Sequence, residues 1–95
     1  MLVICTDSDR RELMEVLTAE GVTHEVSTRA STRELGTGSY ELYTIRANLP
    51  EVKVPPEYTQ GEAFNLRAWR LPSGRLIITD MEGNLEQITI PPPGK

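Results

Sequence analysis

Ninety-five residues with a formal charge of −4 leave room for one hydrophobic core and supply no basic field to displace counterions from double-stranded nucleic acid or an anionic membrane. The apolar fraction is 38%, with one Trp, one Phe and three Tyr, so the expected core is modest and gains from a partner or from self-association. Cys5 is the single cysteine, which excludes an intrachain disulfide, and the apolar opening run meets Asp7 and Asp9 too soon for a signal peptide or a membrane span, so a reducing, cytoplasmic setting is expected.

Taken in chain order, Leu2 to Cys5 is a short apolar run rich in β-branched residues and reads as a buried strand. Thr6 to Asp9 supplies candidate helix caps, with Glu12 following Asp9 at capping-box spacing, and Leu13, Met14, Val16 and Leu17 recur at helical spacing. A helix over residues 10–20, free of Gly and Pro, is expected to end with Gly21 at C′. Residues 24–30 and 39–47 are rich in Thr, Val, Tyr and Ile and flank Gly36, Thr37 and Gly38, the pattern of a long hairpin. Residues 48–61 carry Pro50, Pro55 and Pro56 around Val52, Val54 and Tyr58, which predicts a surface loop or irregular edge rather than a central strand.

Residues 62–90 hold the clearest β pattern. Strands at 63–71, 75–80 and 85–90 are separated by Pro72-Ser73-Gly74 and Met81-Glu82-Gly83-Asn84. With Leu71 facing Arg75, Trp69 lies opposite Ile77, and a tight Glu82-Gly83 turn brings Ile77 opposite Ile88. One face then carries Trp69, Leu71, Ile77, Ile88 and Ile90, and the other Phe64, Leu66, Ala68, Leu76 and Ile78, so the middle strand is expected at the centre. Residues 91–95, opening with Pro91, Pro92 and Pro93, terminate the sheet as a polyproline II tail. The fold class is α+β: one domain with a mostly antiparallel sheet of about five strands, one helix packed on one face, and a C-terminal three-stranded meander.

Few residues carry chemistry. Asp7-Ser8-Asp9 after an apolar strand can hold a divalent cation and resembles, over residues 2–9, the nucleophile motif of haloacid-dehalogenase-type phosphatases. That fold also needs further strands, a lysine and a second acidic pair, which a chain of this length does not supply. Acids at a helix start are otherwise explained by the helix dipole and the unpaired N–H groups. Cys5-Thr6-Asp7-Ser8 resembles the Cys-x-x-Ser of a glutaredoxin, but Cys5 falls inside the strand, where a thiol behaves as a small hydrophobe. His24, the single histidine, has no partner at ligand spacing and reads as structural. Neither a nucleophile–base set nor a phosphate-binding loop is present, so no cofactor and no catalytic residue are assigned.

Arg67, Trp69, Arg70 and Arg75 cluster around one hairpin, a composition suited to an acidic protein surface or to single-stranded nucleic acid, with the net charge favouring protein. The pleat sets Arg67 beside Trp69 with Thr79 and Glu86 across from it, and sends Arg70 to the other face. The expected function is therefore non-enzymatic: an accessory or regulatory protein, an adaptor or inhibitor of a kind bacteria and phages encode, binding another protein or pairing as a homodimer through an exposed sheet edge or hairpin. The alternatives are a metal-dependent phosphate-handling enzyme or sensor built on Asp7 and Asp9, and a structural subunit of a larger assembly.

Overall fold

The computed structural model describes residues 1–35, 38–58 and 65–90. Strand β1, Leu2–Cys5, buries Val3 and Cys5 while Leu2 and Ile4 face outward, the period of two that a sheet imposes. Helix α1, Asp7–Ala19, begins earlier than the Asp9–Glu12 spacing implied, because Thr6 is its N-cap and accepts the Asp9 backbone N–H on Oγ1 at 3.4 Å. Asp7 and Asp9 thus lie in the first turn, where carboxylates complement the exposed N–H groups. At the other end Gly21 adopts φ 72°. Its N–H donates to the Thr18 carbonyl at 3.1 Å and that of Val22 to the Leu17 carbonyl at 2.8 Å, so the helix stops as expected in a Schellman turn. Leu13 and Leu17, one turn apart, are fully buried.

The α+β class, the helix lying on strands and the C-terminal meander are as expected, and the described strands are shared between two antiparallel sheets. In the first, strands β2 (His24–Leu35) and β3 (Gly38–Ala47) form the expected hairpin, and β3 is inserted between β1 and β2. The expected turn at Gly36 and Thr37 lies outside the described residues. α1 covers β1 and β3 on the face that carries Val3, Cys5, Ile45 and Ala47. The second sheet runs β4 (Glu51–Val52), β5 (Leu66–Arg70), β6 (Leu76–Asp80) and β7 (Leu85–Ile88) in sequence order. Prolines on both sides hold β4 to two residues at the sheet edge, where a missing donor is tolerated, and a single 3-10 turn, Pro56–Tyr58, follows. Phe64, the end of the 48–61 loop and the 91–95 tail lie outside the described residues.

Trp69 pairs with Ile77, and Ile77 with Ile88, as the turn chemistry requires. The second turn reaches that register by another route. Asp80 donates its N–H to the Asn84 carbonyl at 3.0 Å, which closes a loop of Met81, Glu82 and Gly83, and the ladder then jumps from Thr79↔Leu85 to Ile78↔Gln87. Glu86 is left as the bulged residue, and the bulge cancels the extra turn residue. Trp69, Leu71 and Ile77 join Leu13, Leu17 and Ile45 in the core, against which Ile88 is half-buried, whereas Ile90, past the last paired residue, is 85% exposed. On the other face Ala68 and Ile78 are buried, so β6 is covered on both sides. No described helix is long and apolar enough to cross a membrane.

The two sheets meet at the β6–β7 turn. Ile4 donates its N–H to the Gly83 carbonyl at 2.8 Å and forms a parallel bridge with Asn84. The turn is held in shape by Asp80, whose Oδ1 accepts the backbone N–H groups of Glu82 and Asn84, each at 2.9 Å, while Oδ2 accepts the Asn84 side-chain amide at 2.9 Å. Gly83 has φ 97°, and a Cβ there would lie 2.9 Å from the Leu2 carbonyl oxygen, so both the turn and the close approach of β1 require glycine.

Candidate protein-binding surface

Arg67 and Trp69 stand side by side on one face of β5. Arg67 donates from Nε and Nη2 to the two carboxylate oxygens of Glu51, both at 2.9 Å, and its guanidinium lies 4.6 Å from the centre of the Trp69 ring. The expected register opposite Thr79 is present. The acidic partner, however, is Glu51 on the edge strand and not Glu86, because Glu86 is bulged out of the ladder while β4 pairs directly with β5. Hydrogen bonding from Arg67 holds the Glu51 carboxyl below its usual range. The pair is exposed and worth little as an isolated ion pair; what it does is fix the guanidinium over the indole. Trp69 is 8% exposed, and its buried Nε1–H has no hydrogen-bond partner among the described residues, a deficit on the order of 1–3 kcal/mol that the burial of the ring offsets.

The other two arginines lie elsewhere. Arg70 is exposed on the opposite face and borders an open cleft of about 570 Å³ between the end of α1, residues 48–50 and the β5–β6 turn. Arg75 is half-buried and donates from Nε to the Thr89 carbonyl at 2.8 Å, beside the Leu76 N–H bond to Thr89 Oγ1 at 2.8 Å. It braces the end of the meander. The cluster seen in the sequence is therefore distributed over three places.

A different set gathers around Arg67 and Trp69. A recess of about 300 Å³ at the junction of the sheets is bordered by Leu2, Arg46, Arg67, Trp69, Met81 and Gly83. Leu2 is 45% and Met81 57% exposed, so two of the large apolar side chains left in solvent share one recess. Arg46 is exposed and makes no ion pair among the described residues. Sequence reasoning missed Leu2, Arg46 and Met81 in this role. Alternation along β1 puts Leu2 outside once Val3 and Cys5 are inside, but only the bridge from Ile4 to the β6–β7 turn brings Met81 beside it.

The residues weighed for chemistry are otherwise engaged. Asp7 accepts Arg10 Nε at 2.9 Å and lies 3.2 Å from Arg11 Nη2, and the hydrogen bond from Arg10 keeps its carboxyl below the usual range. Arg10 also lies 4.8 Å from the centre of the Tyr43 ring. Asp9 sits in the capped first turn, and among the described residues no group of three or more His, Cys, Asp or Glu side chains is placed to hold a metal ion. Burial pushes the Cys5 thiol up to about 11, so it is a protonated core side chain at neutral pH. His24 Nδ1 lies 2.9 Å from the Val22 carbonyl oxygen, which places its proton on Nδ1. No protein-family model, curated protein or solved structure matches the chain.

Proposed function

We propose that this chain is a small cytoplasmic accessory or regulatory protein, an adaptor or inhibitor, that binds another protein through the recess where its two sheets meet. The observation that carries this reading is the pairing of exposed Leu2 and Met81 between Arg46 and the Arg67–Trp69 stack. Apolar anchors, Met in particular, beside an aromatic ring and guanidinium groups are the composition that interface centres enrich. Arg46 brings a charge with no ion-pair partner among the described residues, so the fitting partner carries a carboxylate at the rim of an apolar patch. The overall charge of −4 disfavours nucleic acid at the same surface.

The test is capture from the native lysate by tagged wild-type protein and by Met81→Asp and Arg46→Glu variants whose circular dichroism and urea unfolding match wild type. A stoichiometric protein held by wild type and lost from both variants supports the recess as the binding surface. The same protein retained by both variants removes the recess from the interface.

A further inference from the structure

Of the arginines around the β5–β6 hairpin, Arg70 alone makes no side-chain bond among the described residues. Arg67 is bonded to Glu51 and Arg75 to the Thr89 carbonyl, whereas Arg70 is exposed and joins no ion pair there. It borders the open cleft of about 570 Å³ whose walls are residues 21–23, residues 48–50 and residues 71–74.

Each wall is held by bonds of its own. The Gly21 and Val22 N–H groups close the end of α1 on the Thr18 and Leu17 carbonyls, and the Arg70 N–H reaches the Pro50 carbonyl at 3.0 Å. The turn after β5 is closed by the Leu71 N–H on the Arg75 carbonyl at 2.8 Å and the Gly74 N–H on the Leu71 carbonyl at 2.9 Å. Glu20 ties the first wall to the third, since its Oε1 accepts the Ser73 N–H and its Oε2 the Ser73 hydroxyl, both at 2.8 Å. The cleft is therefore formed in advance of any occupant, and its volume falls in the range of about 300–1,000 Å³ usual for small-molecule sites.

The lining selects the occupant. Val22, Leu49, Pro50, Leu71 and Pro72 supply apolar surface, and Arg70 is the one charged residue among the described residues that border the cleft. The acids that flank two of its walls in the chain are both engaged elsewhere, Glu20 on Ser73 and Glu51 on Arg67. The guanidinium is left without a counter-charge, and its paired donors match the two oxygens of a carboxylate. One positive charge on a chain of net charge −4 suits a monoanion and disfavours a polyanion.

We infer that this cleft is a second binding site, separate from the recess, that takes a small monocarboxylic acid with an apolar body, the carboxylate on Arg70 and the body against Leu49, Leu71 and Pro72.

Titration of the full chain with sodium octanoate, followed by amide NMR shifts, tests this, with octanamide as the neutral analogue and inorganic phosphate as the anion without a body. The expected result is saturable shifts at Val22, Leu71 and Gly74 with a dissociation constant at or below about 1 mM. Octanamide should bind at least about fivefold more weakly, as should octanoate to an Arg70→Gln variant whose other amide shifts match wild type. No saturation by about 10 mM octanoate overturns the inference. Equal binding of octanamide, equal binding by Arg70→Gln, or shifts confined to the recess overturn it as well. Phosphate that binds as tightly as octanoate would make this a general anion site, and an acetylated peptide ending in leucine that binds at least about tenfold tighter would assign the cleft to a chain terminus; either overturns the small-acid reading. Met81→Asp leaves octanoate binding unchanged, so the cleft and the recess fail separately.

Discussion

In the second sheet each strand neighbours the one before it in the chain, and β6 is paired on both edges and buried on both faces through Ile77, Ile78 and Thr79. In the first, β3 is inserted between strands that the helix connects, and among the described strands β2 pairs with β3 alone, with Glu25, Val26, Ser27 and Thr28 all exposed. The meander holds the interior together, while residues 25–28 of the outer hairpin strand contribute little burial. The same molecule therefore has a region whose side chains serve stability and one where side chains are free to meet a partner. The division also fits the charges, since Arg67 and Arg75 of the meander are bonded internally and Arg46 on the first sheet forms no ion pair among the described residues.

The largest expected effect is at the centre of the meander. Ile77→Ala removes a fully buried side chain packed against both neighbouring strands and is expected to cost about 2–5 kcal/mol. Val26→Ala on β2, measured in dilute protein, is expected to stay within about 0.5 kcal/mol of wild type. Urea unfolding of both variants checks the contrast. Equal losses would mean that β2 contributes to the core as much as β6 does, and would break the comparison.

The junction comes next. Gly83→Ala forces a left-handed backbone angle on alanine and drives its Cβ into the Leu2 carbonyl, so a loss of roughly 1–3 kcal/mol is expected. Amide hydrogen exchange distinguishes this from loop strain alone: protection of the Ile4 N–H, bonded to Gly83, should fall with it. If stability drops while Ile4 stays protected, the strain is confined to the turn and the sheets remain coupled.

Legibility in the sequence follows the same division. The meander register was accessible because short turns fix which residues face each other, so Leu71, Arg75 and the intervening Pro-Ser-Gly were enough to place Trp69 against Ile77. Likewise Gly21 marked the helix end, since little else accepts φ 72° there. The insertion of β3 beside β1 was not accessible, because that pairing spans the whole helix and hairpin and no local residue encodes it. Glu51 as the partner of Arg67 was hidden for a related reason: the four residues between Pro50 and Pro55 are too few to mark a strand, and only the edge of β5 makes a strand of the first two. The recess residues depend on that long-range assembly, so they were invisible, while the arginines that stood out in sequence were conspicuous by type and separate in space.

A smaller effect sharpens the role of the junction, and its sign can be worked out. Burial alone would raise the Asp80 carboxyl, but the bonds from the Asn84 side chain and from the backbone of Asn84, Glu82 and Gly83 outweigh it and hold the group below its usual range. A carboxyl depressed on folding contributes stability that is fully present above its unfolded value of about 3.9 and is lost as pH falls through the folded value. Asp80→Asn keeps the shape but has a single acceptor oxygen, so either the backbone N–H groups of Glu82 and Asn84 or the Asn84 side-chain amide loses its acceptor, and the change is expected to cost on the order of 1–2 kcal/mol at pH 7. The gap between wild type and variant should be constant from neutral pH down to about 5 and should narrow below about 4. Asp7 and Glu51 are depressed too, but their exposed ion pairs weaken with salt, whereas the Asp80 clasp is made with neutral donors. Repeating the titration at high salt therefore isolates it. A gap that stays constant through pH 3 would mean that the clasp does not depend on the carboxylate charge, and would leave Gly83 and the Ile4 bond as what joins the two sheets.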